Sequence, residues 1–149
     1  MKRKKFGGKR VYLIDTNIFL EVLLGRKNKD ECISLFRMIE RGEVKAFTTS
    51  FVIHSIEVIM DNFKKVNELK IFLEVVTEFK GLEIYSTDIE DEISAIDMMK
   101  EGLDFDDALQ SYMATKLGAK IVSFDKHFDK VKGLDRVTPK DIVKNSNGL

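Results

Sequence analysis

Short apolar runs rich in β-branched residues alternate along this chain with longer segments of helical periodicity. The runs cover residues 11–14, 44–48, 82–85, 120–124 and 136–138. Between the second and third runs, apolar residues of segment 50–63 recur at the spacings of one helix face. Strands that alternate with helices form βαβ units, which build a mostly parallel sheet. The sequence therefore predicts an α/β protein, a three-layer α/β/α sandwich around a central, mostly parallel sheet of four to five strands.

Length and charge predict one domain preceded by a basic segment. A chain of 149 residues, 44% of them hydrophobic, is long enough to bury one core. Residues 1–10 hold six of the 25 lysines and arginines and no acidic residue. We therefore expect residues 1–9 to form a flexible basic leader and residues 10–149 to form a single acidic domain. The leader is equally consistent with a solvated tail and with a phosphate-binding arm.

The cysteine and histidine content restricts the kind of metal site. One cysteine and two histidines exclude an internal disulfide, a Cys-based zinc site and a His-rich site. A metal would have to be held mainly by carboxylates, which favours Mg²⁺ or Mn²⁺. No apolar run reaches the roughly 18 residues of a membrane span, and Asp15 interrupts the first one. We therefore expect a cytoplasmic protein that does not enter a membrane.

Acidic side chains follow two of the predicted strands. Asp15 comes directly after 11–14, and Asp125 comes directly after 120–124. Asp107 lies in the first turn of the helix predicted before the second of these strands. Parallel strands bring their carboxyl ends to one sheet edge, where α/β proteins bind their ligands. We therefore expect these three carboxylates to lie close together.

Glu57 is a fourth candidate because of its position on a predicted helix. With Ile56 at the centre of the buried face of segment 50–63, Glu57 lies about 100° away, at the border of that face. A carboxylate at this border either points into the crevice or remains a solvated edge residue.

Each of these acids also has a purely structural interpretation. Asp15 and Asp125 suit helix N-caps. Asp104 at an N-cap, with Asp106 and Asp107 in the first turn, complements the helix dipole. Repulsion between neighbouring carboxylates is costly unless a cation or protons relieve it, so the acids gain significance only if they converge.

Four segments of the sequence resemble those of the PIN-domain ribonucleases, which include the VapC-type toxins. In chain order they read YLIDTNIF at 12–19, SFVIHSIEVI at 50–59, DALQSYMA at 107–114 and IVSFDKHFD at 121–129. The resemblance runs from about residue 11 to residue 142. Each segment alone is a weak signal, and the four in this order and spacing are a strong one.

The resemblance implies an endoribonuclease that hydrolyses RNA phosphodiester bonds with a metal-activated water and depends on Mg²⁺ or Mn²⁺. By the match, four acids take the catalytic and metal-binding positions: Asp15, Glu57, Asp107 and Asp125. Three polar residues take the positions that orient these carboxylates by hydrogen bonding: Thr16, Asn17 and Ser123. Asp104 or Asp106 could act in place of Asp107 or beside it.

An acidic domain needs basic side chains to attract RNA. The candidates for phosphate contacts are Arg26, Lys27, Lys29 and Lys126, each of which is also readable as a solvated loop charge. His127 invites a general-acid role, for which the sequence shows no partner. The resemblance further implies a small antitoxin protein as partner, a homodimer or higher homo-oligomer, and a toxin of a toxin-antitoxin pair as one form of the function.

Two other functions stay open at this point. A catalytically silent PIN-like module would bind RNA or protein without cutting, although the presence of all four acids argues against it. An aspartyl phosphotransfer enzyme also places an aspartate at a strand end. It needs a second acid two residues later, where this chain has Asn17.

Overall fold

The computed structural model of this chain describes residues 10–147, so the predicted leader lies outside the described residues. Five strands form one sheet: β1 (Tyr12–Ile14), β2 (Ala46–Thr49), β3 (Leu82–Tyr85), β4 (Lys120–Val122) and β5 (Arg136–Val137). Their order is β3-β2-β1-β4-β5, and every neighbouring pair is parallel. This confirms the predicted α/β class and the parallel sheet, with five strands.

Seven α-helices surround this sheet in the described part of the chain. They are α1 (Thr16–Leu23), α2 (Lys29–Glu40), α3 (Ser50–Asn62), α4 (Val66–Val76), α5 (Ile89–Met98), α6 (Phe105–Leu117) and α7 (Pro139–Asn147). Short 3₁₀ turns cover Met99–Glu101 and Lys126–Lys130. None of the helices in the described residues is long and apolar enough to cross a membrane.

Side chains of successive strand residues enter two separate apolar clusters, one on each face of the sheet. Ile14 of β1 packs among residues of α1 to α4 and α7, whereas its neighbour Leu13 packs among residues of α5 and α6. Both side chains are fully buried, and complete burial of a side chain of this size stabilises the fold by about 1.5 to 3 kcal/mol. The alternation produces the three layers that the sequence predicts.

The register of the central strands places the ends of β1 and β4 side by side. Ile14 of β1 is opposite Val122 of β4, and the backbone N–H of Asp15 donates to the carbonyl of Val122 at 3.1 Å. Ser123 continues this edge, because its N–H donates to the carbonyl of Val137 at 3.0 Å. The residue after β1 and the residue after β4 therefore meet at the carboxyl edge of the sheet.

Candidate metal centre

Asp15 is both a helix cap and a buried acid. It precedes α1, and its Oδ1 accepts the N–H of Thr16 at 2.7 Å. Only 5% of Asp15 is exposed, and burial raises the pKa of its carboxyl to about 6, although hydrogen bonds from Ser123 and Gln110 act in the opposite direction. The capping interpretation of Asp15 is therefore correct, and it does not account for the burial.

The hydroxyl of Ser123 connects two of the acids. Its Oγ donates to Oδ2 of Asp15 at 2.6 Å and accepts the backbone N–H of Asp125 at 2.9 Å. The amide Nδ2 of Asn17 donates to the same Oγ at 3.4 Å. Because Ser123 is fully buried, these contacts are sheltered from water and hold the Asp15 side chain in one orientation.

Asp107 has the largest pKa shift among these acids. Its N–H donates to Oδ1 of Asp104, which caps α6 as the sequence suggested. Burial raises the pKa of Asp107 to about 7, and negative charges add to this shift in the order Asp104, Asp125, Asp106 and Asp15. The acids are therefore close enough to repel one another. Such convergence is expected of a shared site and not of separate helix caps.

Asp125 and His127 lie on the turn that follows β4. Oδ1 of Asp125 accepts the N–H of His127 at 2.9 Å, so Asp125 is also a cap. Nδ1 of His127 lies 3.1 Å from Oδ1 of Asp125 and 3.5 Å from Oδ2 of Asp107. Donor atoms of these three residues lie within 4.8 Å of one another, a spacing that a metal ion can bridge.

Asp106 and Gln110 extend the polar wall on α6. Nε2 of Gln110 donates to Oδ1 of Asp106 at 2.8 Å. Burial raises the pKa of Asp106, the Gln110 hydrogen bond opposes that rise, and the charges of Asp104 and Asp125 add to it. Sequence reasoning missed Gln110, for which the available signal was a lone glutamine one helical turn after Asp106.

Glu57 makes no hydrogen bond or ion pair with the aspartates among the described residues; its partner there is His54. Oε1 of Glu57 lies 2.8 Å from Nδ1 of His54, whose side chain is exposed. Ser55 and His54 of α3 line an open cavity of about 440 Å³ together with Thr16 and Asp106. Ser55 and Glu57 are two residues apart, about 200° around the helix. The predicted catalytic role of Glu57 stays a prediction.

The four predicted RNA contacts are all exposed, and they occupy two places. Lys126 is adjacent to Asp125, which forms the acidic group together with Asp15 and Asp107. The other three, Arg26, Lys27 and Lys29, follow the far end of α1, a helix of eight residues that begins at the acidic group. A helix of eight residues is about 12 Å long, so α1 separates these three basic residues from the acidic group.

The polar atoms around the aspartates fit a divalent cation with oxygen ligands. Oγ1 of Thr16 and Oδ1 of Asn17 are buried and have no hydrogen-bond partner within residues 10–147. Buried oxygen atoms are costly when they are left without a partner. Asp15 and Asp107, whose pKa values are raised, add carboxylate oxygens to these two atoms. Oxygen donors of this kind are the ligands that Mg²⁺ and Mn²⁺ prefer.

Comparisons with known proteins agree with the fold and with the resemblance. The PIN domain family matches residues 12–134. VapC20 from Mycobacterium tuberculosis, described as a Sarcin-Ricin loop cleaving toxin, shares 14% identity at a TM-score of 0.70 over 86% of this chain and 99% of its own. VapBC2 from Rickettsia felis, described as bound to a DNA fragment from their promoter, shares 16% identity at a TM-score of 0.65 over 86% and 98%. PAE2754 from Pyrobaculum aerophilum shares 14% identity at a TM-score of 0.63 over 100% and 99%. No curated protein sequence matches this chain significantly.

Proposed function

Because this chain belongs to the PIN domain family, we propose that it is an endoribonuclease that requires Mg²⁺ or Mn²⁺ and hydrolyses RNA phosphodiester bonds. The observation that carries the proposal is the convergence of Asp15, Asp107 and Asp125 at the carboxyl edge of the sheet. Two of these carboxyls have pKa values raised to about 6 and about 7. A group of acids in this state is relieved by protons or by a cation.

The roles of the side chains follow from their contacts. Asp15, Asp107 and Asp125 would hold the ion, which when bound lowers the pKa of a water molecule and offsets charge on phosphate oxygens. Ser123 keeps Asp15 in a fixed orientation through its 2.6 Å hydrogen bond, so the ligand atoms need no rearrangement. Asn17 donates to the same hydroxyl and supports that orientation.

Cleavage of a labelled single-stranded RNA by the full-length protein tests the proposal. We expect cleavage with Mg²⁺ or Mn²⁺, none in excess EDTA, and none by Asp15→Asn or Asp107→Asn. Asp97→Asn is the matched control, because Asp97 is an exposed acid on α5. Cleavage that persists in excess EDTA would refute the metal requirement. RNA binding without cleavage under every metal condition would instead support the catalytically silent module.

RNA binding is proposed to use the two groups of exposed basic residues. Replacing Arg26, Lys27 and Lys29 together by glutamine removes three positive charges that could contact phosphates. The salt dependence of RNA affinity should then become shallower, because fewer counterions are released on binding. An unchanged slope would assign these side chains to solvation alone.

The proposed form of the function is the toxin of a toxin-antitoxin pair, acting in the cytoplasm. Support comes from the fold shared with VapC20, itself described as a toxin, and from an apolar groove between α1, α2 and α4. Side chains that line this groove include Val22, Leu23, Phe36, Phe72 and Phe79. A concave apolar groove suits an amphipathic helix of a small antitoxin protein.

Growth assays test the toxin and its partner separately. Induced expression of the chain should arrest growth, and Asp107→Asn should not. Co-expression of a small antitoxin that binds the protein should restore growth. Ile71→Asp, at an exposed position that lines the groove, should weaken this rescue, whereas Phe63→Asp, at an exposed position after α3, should not. Normal growth of cells that express active nuclease would refute the toxin assignment.

A further inference from the structure

His127 places one ring nitrogen between two carboxylates of the acidic group. Its ring nitrogen Nδ1 faces oxygens of two acids from two different elements, Asp125 on the turn after β4 and Asp107 on α6. The separation from Asp125 is 3.1 Å, within hydrogen-bond range. The separation of 3.5 Å from Asp107 exceeds that range, so a second carboxylate faces Nδ1 without a good hydrogen bond.

The same separations suit the ligand atoms of one metal ion. Mg²⁺ binds its ligands at about 2.0 to 2.1 Å, so neighbouring donors in an octahedral site lie roughly 3.0 Å apart. The distances of 3.1 Å and 3.5 Å from Nδ1 to the two carboxylates are close to that spacing. The backbone N–H of His127 also donates to Asp125, which fixes the turn that carries the ring.

On the premise of the proposed function, we infer that Nδ1 of His127 is a further ligand of the divalent cation, beside Asp107 and Asp125. Its side chain is 63% exposed, so the other ring nitrogen can hydrogen-bond to water while Nδ1 binds the metal. An imidazole ligand suits first-row transition metals, whereas Mg²⁺ prefers oxygen. His127 therefore makes the site selective for Mn²⁺ over Mg²⁺.

Pulsed electron paramagnetic resonance of the untagged, full-length protein loaded with Mn²⁺ tests this inference. A nitrogen bound directly to Mn²⁺ gives a hyperfine coupling to ¹⁴N. The chain has two histidines, so His54→Asn is a matched control for His127→Asn. We expect the ¹⁴N coupling in the parent and in His54→Asn, and its loss in His127→Asn. The Mn²⁺ affinity of His127→Asn should fall by about tenfold or more, with a smaller change for Mg²⁺.

The possible failures are distinguishable from one another. Bound Mn²⁺ without a ¹⁴N coupling in the parent protein would overturn the inference and leave the metal-dependent nuclease intact. A coupling that persists in His127→Asn, with that variant folded by circular dichroism, would also overturn it. If the parent binds neither Mn²⁺ nor Mg²⁺ and cleaves no RNA, both the inference and the proposed function fail.

Discussion

The carboxyl of Asp107 makes stability depend on pH. Its pKa is raised to about 7 in the folded protein, chiefly by burial, whereas an aspartate in an unfolded chain titrates near pH 4. Between about pH 4 and pH 7 the folded state therefore binds more protons than the unfolded state does, and the free energy of unfolding falls as the pH rises. In the metal-free protein, the stabilising contribution of Asp107 is therefore lost as the pH rises through about 7.

Asp107→Asn removes the contribution of this carboxyl to the pH dependence of the free energy of unfolding. Without metal, we expect the variant to be at least as stable as the parent at pH 7, with an advantage that disappears toward pH 4. It should also gain less stability from added Mn²⁺ and should have no nuclease activity. Thermal unfolding across this pH range, with Asp97→Asn as the control, measures the effect. A destabilised but active variant would mean that Asp107 only complements the dipole of α6.

Ser123 and Ser111 form a matched pair of buried serines. Oγ of Ser123 has partners in both Asp15 and Asp125, whereas Oγ of Ser111 is buried with no partner among the described residues. Ser123→Ala should cost about 1 to 3 kcal/mol of unfolding free energy, because it strands buried polar groups, and should reduce cleavage. Ser111→Ala should be neutral or stabilising. Equal losses of stability in the two variants, measured by denaturant unfolding, would contradict this account.

At the level of elements, the orientation of α3 bears on whether Asp106 or Glu57 acts as a fourth acid of the proposed site. The ring of Phe51 packs against Phe105 at 5.8 Å between centroids, which turns the Ser55 side of α3 toward α6 and Asp106. We therefore expect Asp106→Asn to lower kcat/KM for RNA by about tenfold or more, and Glu57→Gln to have little effect. Steady-state cleavage measures both. The opposite ranking would establish Glu57 as the fourth acid.

Most elements were predictable because local patterns and tertiary packing agree. The strand prediction 82–85 coincides with β3, and the helix prediction 50–63 overruns α3 by one residue. The sequence did not predict α7, although Pro139 suits a first helical position. Its segment has few apolar residues, and its contacts are tertiary, since Ile142 is buried in a cluster with α2 and Lys140 N–H donates to Glu31 at 3.1 Å.

The candidate site was predictable only where the chain itself determines the geometry. Asp15 and Asp125 follow parallel strands, so the strand-end rule alone brings them to one edge. Helical periodicity could not do the same for Glu57. Ser55 and Glu57 lie about 100° on either side of Ile56, and periodicity does not say which border faces the sheet edge. That choice depends on the tertiary contacts of α3, among them the contact of Phe51 with Phe105, which are a property of the assembled fold.

For the whole molecule, an apolar stripe on α5 predicts self-association. Ile89, Ile93 and Ile96 share one face of this helix and are 69%, 60% and 54% exposed. A single surface that meets its own copy across a two-fold axis buries such a stripe in a homodimer. Light scattering should show a dimer for the parent and a monomer for Ile93→Asp. Ile71→Asp, at an exposed position on α4, should remain dimeric, and a monomeric parent would refute the assignment.

The order of the strands also bears on the synthesis of the protein. β1 lies at the centre of the sheet beside β4, and the acidic group combines Asp15 with two acids from much later in the chain, Asp107 and Asp125. A nascent chain therefore contains Asp15 long before Asp107 and Asp125 are added, and the site is complete only after β4 has paired. A fragment of residues 1–119 should bind no Mn²⁺ and cut no RNA. If the proposed nuclease site needs all three carboxylates, the nascent chain is inactive toward RNA until β4 has left the ribosome and paired with β1.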